Sequence, residues 1–232
     1  MATSPKKRAT APKAHPSELI RAPQLPRQID DGYGDALHRR DIAYKAAFSK
    51  IVVRGANLSA TSAEKVAFDV VLFDGVELSD TNFDELDLTD SRLETCAISN
   101  ALWHKSSLNR VEIVGSRGQG LQLNESFLRH VVFDNCSLAY AQFRVARFEH
   151  VKFVNCNLRG ADFSQADLRG VAFTDCELRE ADFSYSKLEG TDLRTSTLDN
   201  IRVGAESLKG VIVEPMQAAY LCKIMGLDVR WE

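Results

Sequence analysis

A large apolar residue recurs at every fifth position over most of this chain. The stretch NLRGADFSQADLRGVAFTDCELREADF at 157–183 shows the spacing, and the series runs without a slip from Phe48 to Val213. An α-helix turns about 100° per residue, so a step of five would scatter these side chains around its cylinder. A flat strand would send alternate members to opposite faces and leave half of them in water. Neither ordinary element accommodates the pattern.

A second series of small residues precedes the first by two positions. It holds Ala, Ser, Thr, Cys or Val at nearly every place from Ala56 to Val211. A step of two keeps side chains on one face of an extended segment, whereas the following step of three does so only if the chain turns a corner. Each group of five is therefore a short extended side followed by a bend. A fixed short period of this kind is typical of a solenoid, whose units bury their apolar faces by stacking.

The repeats ADFSQ ADLRG at 161–170 and ADFSY SKLEG TDLRT at 181–195 resemble the pentapeptide-repeat family, whose pattern is A(D/N)LXX. The resemblance covers 48–213 and implies an all-β fold, a right-handed quadrilateral β-helix with four pentads per coil. This region then makes about eight coils, and a rod on the order of 40 Å long. A C-terminal capping helix completes the expected fold.

The termini differ from the repeat in composition. We expect a disordered basic tail at 1–28, an N-terminal cap at 29–47 that includes Tyr33, Leu37 and Tyr44, and a helix and strand at 214–232. The N-terminal segment MATSPKKRATAPKAHPSELI lacks the apolar core of a secretory signal, and no apolar run is long enough to cross a membrane. These features predict a cytoplasmic protein that binds neither membranes nor, directly, nucleic acid.

The C-terminal segment has the signals of a helix between Pro215 and Gly226. Leu227, Val229 and Trp231 then alternate as a short strand. The segment also resembles the ends of pentapeptide-repeat proteins that protect DNA gyrase from fluoroquinolones. That resemblance implies a head-to-head homodimer, with a contact formed by Tyr220, Leu221, Ile224 and Trp231. The sequence leaves open whether the segment caps the last coil, dimerises, or does both.

No pattern of residues indicates catalysis, a cofactor or a metal. Cys96, Cys136, Cys156 and Cys176 occupy the small inward position, which favours buried thiols over a zinc site. His130 and His150 fall one coil apart on an outward corner, where a solvated surface is favoured over a shared cation. The motifs of acyl and phosphoryl transfer are absent, and a filled solenoid offers no deep pocket. We therefore predict a protein that is not an enzyme.

The outward charges are uneven along the chain, although the net charge is only −3. Arg129, Glu149, Arg169 and Glu189 alternate in sign at steps of 20, which predicts ion pairs between coils. Acidic residues cluster early and make that end negative, either as a solvated face or as a candidate partner-binding surface. This acidic band consists of Asp69, Asp74, Glu77, Asp80, Asp84, Glu85, Asp87, Asp90 and Glu94.

Gly118 interrupts the series of large apolar residues within VGSRGQG, and it marks either a poorly filled rung or a bend in the rod.

For function, the sequence favours a rigid, non-enzymatic protein-interaction scaffold. The alternative is a DNA-mimicking modulator or protector of DNA gyrase or another topoisomerase. A mimic would carry carboxylates along its whole length, because DNA has one charge per about 1.7 Å of axis. Here the acidic residues become sparse after Glu94.

Overall fold

The structure, a computed structural model, describes residues 15–25 and 37–230. Within these ranges the chain forms a parallel β-solenoid followed by one α-helix. Short 3-10 helices lie at Pro16–Leu19, Arg39–Asp41 and Ala205–Leu208. The regular elements are β1 (Ala47–Arg54), β2 (Ala67–Asp74), β3 (Asp87–Glu94), β4 (Ser107–Val114), β5 (Phe127–Asp134), β6 (Arg147–Val154), β7 (Ala172–Thr174) and α1 (Pro215–Ile224).

Each strand pairs in parallel with the next strand in the chain, and the two residues of each pair lie 20 positions apart in the sequence. Phe48 lies opposite Phe68, and Phe133 lies opposite Phe153. Isolated bridges outside the strands keep the same step, as between Asn57 and Glu77. The pairings fall into four columns, which define four faces. In one coil, faces 1, 2, 3 and 4 are residues 66–70, 71–75, 76–80 and 81–85, and each face recurs once in every coil.

The all-β solenoid predicted from the sequence is confirmed, with a small difference in the number of coils. The seven strands make six successive pairings, so the regular sheet spans about six turns where the repeat predicted about eight. Beyond β7 the pairing continues only as isolated bridges, the last from Asp192 to Ile212.

The corners of the coil lie two residues after each large apolar centre. Every residue whose number is a multiple of five, from Lys45 to Asn200, has a φ between 46° and 73°. This left-handed conformation turns the chain from one face to the next within one residue, and glycine, asparagine and aspartate adopt it most readily. Gly160 and Asn155 are such corners, but Val145 and Tyr185 occupy the same position despite their bulk. The sequence placed His130 and His150 on an outward corner, and both have this conformation.

Phenylalanine, leucine and small residues fill the interior. Phe133, Phe153 and Phe173 stack along face 2 with ring centroids 4.7 and 5.0 Å apart. The small inward residues leave room for these rings, and the serines among them also accept hydrogen bonds. The Ser106 hydroxyl, for example, accepts the backbone N–H of Leu86 one coil below, at 3.1 Å. Such bonds satisfy backbone donors that the strand ladder does not use.

Gly118 lies in an unbroken ladder, because the bridges from Ala97 to Arg117 and from Arg117 to Ser137 keep the step of 20. A Cβ added at Gly118 would lie 2.9 Å from Leu138 and 3.0 Å from Ile98. The side chains of the two neighbouring coils thus fill this rung, and the register continues through it.

Residues 15–25 depart from the disorder expected for the segment 1–28. We call them the strap, since they lie along the corner between faces 1 and 2 and reach from the coil of Gly190 to that of Asp90. The rest of the expected tail, 1–14 and 26–28, lies outside the described residues, as does Tyr33 of the expected cap. Within that cap Leu37 and Ile42 are buried in the core and Tyr44 is exposed.

At the other end, α1 lies on the final coil. The Gln217 side-chain amide donates to the carbonyls of Leu193 and Ser196 at 2.8 and 2.7 Å, and Leu221 is buried in the core. The short strand expected after the helix is wrong for 227–230, which pair with nothing in the described sheet. Leu227, the first apolar residue of this segment, is exposed and is not buried against the last coil. Trp231 lies outside the described residues.

Candidate functional site

The acidic band encircles the rod and does not form a stripe along it. Because one coil has four faces, its residues alternate among all of them: Asp87 lies on face 1, Asp74 on face 2, Glu77 on face 3 and Asp84 on face 4. The band therefore spans little more than one coil of length. A single flat partner would meet only the members on one or two adjacent faces.

Several members of the band already have partners within the chain. Asp74 pairs with Arg54 at 3.9 Å and Glu85 with Lys65 at 3.5 Å, each from one coil to the next. Asp80 lies at a corner and accepts a hydrogen bond from the Asn100 side-chain amide at 3.2 Å. These contacts disperse the negative charge that composition alone would place at this end.

Asp90 is the most enclosed member of the band, with a relative exposure of 6%. The Arg110 guanidinium donates to both of its carboxylate oxygens, at 2.6 and 2.5 Å. The hydrogen bond from Arg110, against the opposing effect of burial, holds the pKa of Asp90 below its ordinary value. Since Asp90 also accepts the backbone N–H of Gln24 at 2.9 Å, it faces the strap and is not available to an outside partner while the strap is bound.

The predicted cross-coil charge ladder is present in part. Arg129 and Glu149 pair at 3.4 Å as expected. Arg169 instead pairs with Asp167 at 2.7 Å, its neighbour two positions back on the same face. The short aspartate side chain offers both oxygens to the guanidinium within one pentad, a bidentate geometry that the partner one coil away does not match.

The strap contacts side chains and backbone along one corner column. We define the corner column as Asp90, Arg110, His130, His150, Gly170 and Gly190, each one coil from the next. His15 donates to the Gly190 carbonyl at 2.8 Å, and Pro16 lies so close to Gly170 that an added Cβ would come within 2.8 Å of the proline ring. The sequence showed this column but not its cover, because nothing periodic marks the strap.

The sequence favoured a solvated surface for the two histidines of the corner column, and this prediction is wrong. His130 is 5% exposed, and its ring stacks on that of His150 with centroids 4.8 Å apart. The strap covers them: Arg21 N–H donates to His130 Nδ1 at 3.4 Å, and His150 Nδ1 donates to the Pro16 carbonyl at 2.9 Å. The described residues contain no group of side chains suited to a metal ion.

The cysteines lie as predicted at small inward positions. Cys96, Cys136, Cys156 and Cys176 are free and buried, and Cys222 on α1 is partly exposed. Burial raises the pKa of Cys96 to about 11, so its thiol is protonated at neutral pH. The four buried thiols fill the core, and that of Cys96 has the wrong protonation state for a nucleophile.

The C-terminal residues predicted to dimerise have different surroundings. Leu221 is buried against the last coil, and Tyr220 is half-buried with its hydroxyl accepting the Asn200 N–H. Ile224 is 38% exposed and lies beside exposed Met225 and Leu227. Within the described chain, Leu221 therefore belongs to the cap, and the exposed side of α1 carries Met216, Lys223 and Ile224.

One surface concavity is an open groove of about 1060 Å³ beside the last coils. Its charged lining mixes signs, with Arg169, Lys187, Glu189, Arg202 and Glu206. Among the described residues that line it are three serines, Ser184, Ser186 and Ser207, and no histidine or cysteine. No helix in the described ranges has the length and apolar character that a membrane span requires.

Sequence comparison identifies the repeat. A family model described as pentapeptide repeat region matches residues 86–153 and 126–203, which together cover just over half of the chain. No curated protein is similar enough to match it.

Solved structures with the same type of coil are distant in sequence. HetL, a pentapeptide repeat protein involved in heterocyst differentiation regulation in the cyanobacterium Nostoc, is 20% identical, with 73% of this chain and 87% of that chain covered and a TM-score of 0.34. QnrB1, a plasmid-mediated fluoroquinolone resistance protein, is 22% identical in a trypsin-treated form, with coverage of 77% and 97% and a TM-score of 0.32. A pentapeptide repeat protein of the Arabidopsis thaliana thylakoid lumen is 27% identical, with coverage of 47% and 70% and a TM-score of 0.30. At these values the likenesses carry no functional argument for this chain.

Proposed function

Because the chain belongs to the pentapeptide-repeat family, we propose that it is a rigid rod that binds protein partners through its outward side chains and catalyses no reaction. The observation that carries the proposal is the filled interior: the inward positions hold close-packed apolar and small side chains, as in the Phe133, Phe153 and Phe173 stack. Only the four outer faces and the two ends then remain for recognition. Its free cysteines favour action in a reducing compartment, the cytoplasm.

Such a rod offers a partner a fixed array of side chains. Outward residues one coil apart are separated by about 4.8 Å and are held by parallel hydrogen bonds on both sides. Little conformational entropy is lost when a partner docks on side chains whose backbone is already fixed. We propose the acidic band as the contact for a basic protein, with the members on adjacent faces as the contacting set.

Photo-crosslinking from defined faces tests this proposal. A photoreactive amino acid is placed in the full-length chain at one band position per face: Asp87, Asp74, Glu77 or Asp84. Matched control positions five coils further along the same faces are Lys187, Thr174, Glu177 and Ser184. After irradiation in host lysate, mass spectrometry identifies the crosslinked protein.

We expect one defined protein to crosslink from one or two adjacent band positions and not from the matched controls. Crosslinks confined to the control positions would retain a binding rod but reject the acidic band. An absence of crosslinks at all eight positions would reject binding through the faces of the rod.

A second candidate function is modulation or protection of a type II topoisomerase by mimicry of DNA. The nine carboxylates of the acidic band favour it. Against it, those carboxylates lie around one coil, on four faces, and several are neutralised by partners such as Arg54 and Lys65. Mimicry of duplex DNA requires repeated charge along an axis, so we rank this function below a general protein-binding role.

A supercoiling assay with purified DNA gyrase separates the two functions. DNA mimicry predicts that the wild-type chain changes supercoiling and that reversing Asp74, Asp84 and Asp87 to lysine abolishes the change. A control that reverses Glu125, Asp134 and Asp175, three acidic residues outside the band, would keep it. A wild-type chain without effect would remove this candidate.

A further inference from the structure

The strap is bound mainly through polar contacts that depend on the protonation state of the corner column. From His15 to Gln24 it reaches four separate coils, and its contacts there are hydrogen bonds to Gly190, His150, His130 and Asp90. Its 3-10 helix is a single short turn, Pro16–Leu19. A segment with so few apolar contacts opens at a lower free energy than the strands beneath it.

The hydrogen bonds fix the protonation state of His130. The backbone N–H of Arg21 donates to His130 Nδ1, so that nitrogen must carry a lone pair and no proton. The neighbouring ring of His150 uses its own Nδ1 to donate to Pro16 O. His130 is therefore neutral while the strap is in place. If His130 Nδ1 took up a proton, its N–H would face the Arg21 N–H, and neither group could accept a hydrogen bond from the other.

The surroundings of His130 oppose a positive charge. Arg21 approaches from the strap, Arg129 precedes it on β5, and His150 stacks on it from β6. Burial and then His150, Arg129 and Arg21 lower the pKa of His130, and only Glu149 on β6 opposes them. The remaining ionisable groups of the same corner are the Asp90–Arg110 ion pair in the coils below, and His15 and Glu18 on the strap.

We propose that the strap is a pH-sensitive latch, closed over the corner column while His130 is neutral and released when His130 takes up a proton. Release turns Asp90, Arg110, His130 and His150 into an exposed polar row that an extended peptide could then contact. The proposal does not depend on which partner the rod binds.

The sign of the pH effect follows from linkage. With the strap open, His130 is solvated and its pKa returns towards the ordinary value of about 6.5. A proton thus binds the open state more tightly than the closed state, and acidification below about pH 6.5 favours opening. Asp90 remains ionised in this range because Arg110 lowers its pKa, so its bond to Gln24 does not contribute to the change.

Amide hydrogen exchange on the full-length chain tests the latch. The measured quantity is the protection factor, the intrinsic exchange rate divided by the observed rate at each pH, for the strap amides of Arg21 and Gln24. We expect it to fall on the order of tenfold from pH 7.5 to 5.5, since each pH unit below the open-state pKa changes the opening equilibrium about tenfold. The amide of Phe133 in β5 is the internal control and keeps its protection.

The sharpest variant is His130→Asn, because asparagine Oδ1 can accept the Arg21 N–H where Nδ1 did but cannot be protonated. It should keep strap protection at both pH values. His104→Asn, on face 4 and away from the strap, should behave like the wild type. If His130→Asn does not fold, His150→Asn keeps a donor for the Pro16 carbonyl, removes a ring that lowers the pKa of His130 and should weaken the pH response.

Two results would overturn the proposal. One is wild-type strap protection that is the same at pH 7.5 and 5.5. The other is a folded His130→Asn chain that loses protection on acidification as the wild type does, which would assign the effect to another group such as His15.

Discussion

Phe143 and Phe163 lie one coil apart in the chain and stack with their ring planes 5° apart and their centroids 5.0 Å apart. Phe183 continues the same column, 5.2 Å from Phe163. The pentad thus has a physical meaning, since four of them bring the chain back to the same place one layer higher. Burial of such rings, and their contacts with the perpendicular rings of face 2, supply much of the stability.

Truncating the middle ring of this column should be costly. We expect Phe163→Ala to lower the free energy of unfolding by about 3–5 kcal/mol, because it leaves a cavity between two stacked rings. Tyr185→Ala is the matched control, since Tyr185 is 86% exposed, and it should change stability by no more than about 0.5 kcal/mol. Urea denaturation followed by circular dichroism measures both. Equal effects of the two substitutions would contradict a filled, stacked interior.

A corner residue that suits the left-handed conformation poorly can be improved. Val145 has a φ of 59° and is 52% exposed, so its β-branched side chain gains little from packing. We expect Val145→Asn to raise the free energy of unfolding by about 1 kcal/mol. The same substitution at Val154, an outward strand position of β6, should give no gain. A loss of stability at position 145 would show that Val145 makes contacts that outweigh the strain.

Thiol labelling tests whether the cysteines of the repeat point into the core. In the native chain we expect a thiol-reactive dye to modify Cys222 and to leave Cys96, Cys136, Cys156 and Cys176 unmodified, because those four are buried. All five should react in denaturant. Absorbance of the released dye anion counts the thiols under both conditions. Rapid native labelling of Cys156 would place that column on the outside and contradict the pentad register.

The ion pair between Asp90 and Arg110 should contribute to acid sensitivity. The folded state lowers the pKa of Asp90, so its contribution is present above the unfolded value of about 3.9 and is lost as pH falls through the folded pKa. We expect Asp90→Asn to cost about 2 kcal/mol at pH 7 and less near pH 2. Urea denaturation at both pH values measures this, with Asp134→Asn as the outward control. A cost that does not shrink on acidification would contradict the prediction.

The sequence predicted the parts of the structure that repeat. Phe163 and its small partner Ala161 could be assigned to the interior because every coil contains the same pair of inward positions. The corner position follows from the register and not from residue type, because residues as different as Gly160, Val145 and Tyr185 occupy it. The turn onto the next face is imposed there by the stacked coils and overrides the local preference of the residue.

The parts that do not repeat escaped prediction. The contacts of Gln24 with Asp90 and of His15 with Gly190 join residues 66 and 175 positions apart, and no periodicity marks them. A short proline-containing segment with few apolar residues reads as disordered, although here it is bound by hydrogen bonds to a column that only the fold assembles. For the same reason the buried state of His130 could not be seen in the sequence.

The solenoid is defined by the advance of one layer for every four pentads, and the distance between two spin labels measures that advance. Labels at Ser79 and Arg159, four coils apart on face 3, should be separated by roughly 19 Å, and labels at Ser79 and Asp199, six coils apart, by roughly 29 Å. Cys222→Ser provides the background for both pairs. Pulsed dipolar spectroscopy should find the two distances in a ratio of about 2 to 3. Distances that do not increase with the number of intervening coils would contradict the solenoid.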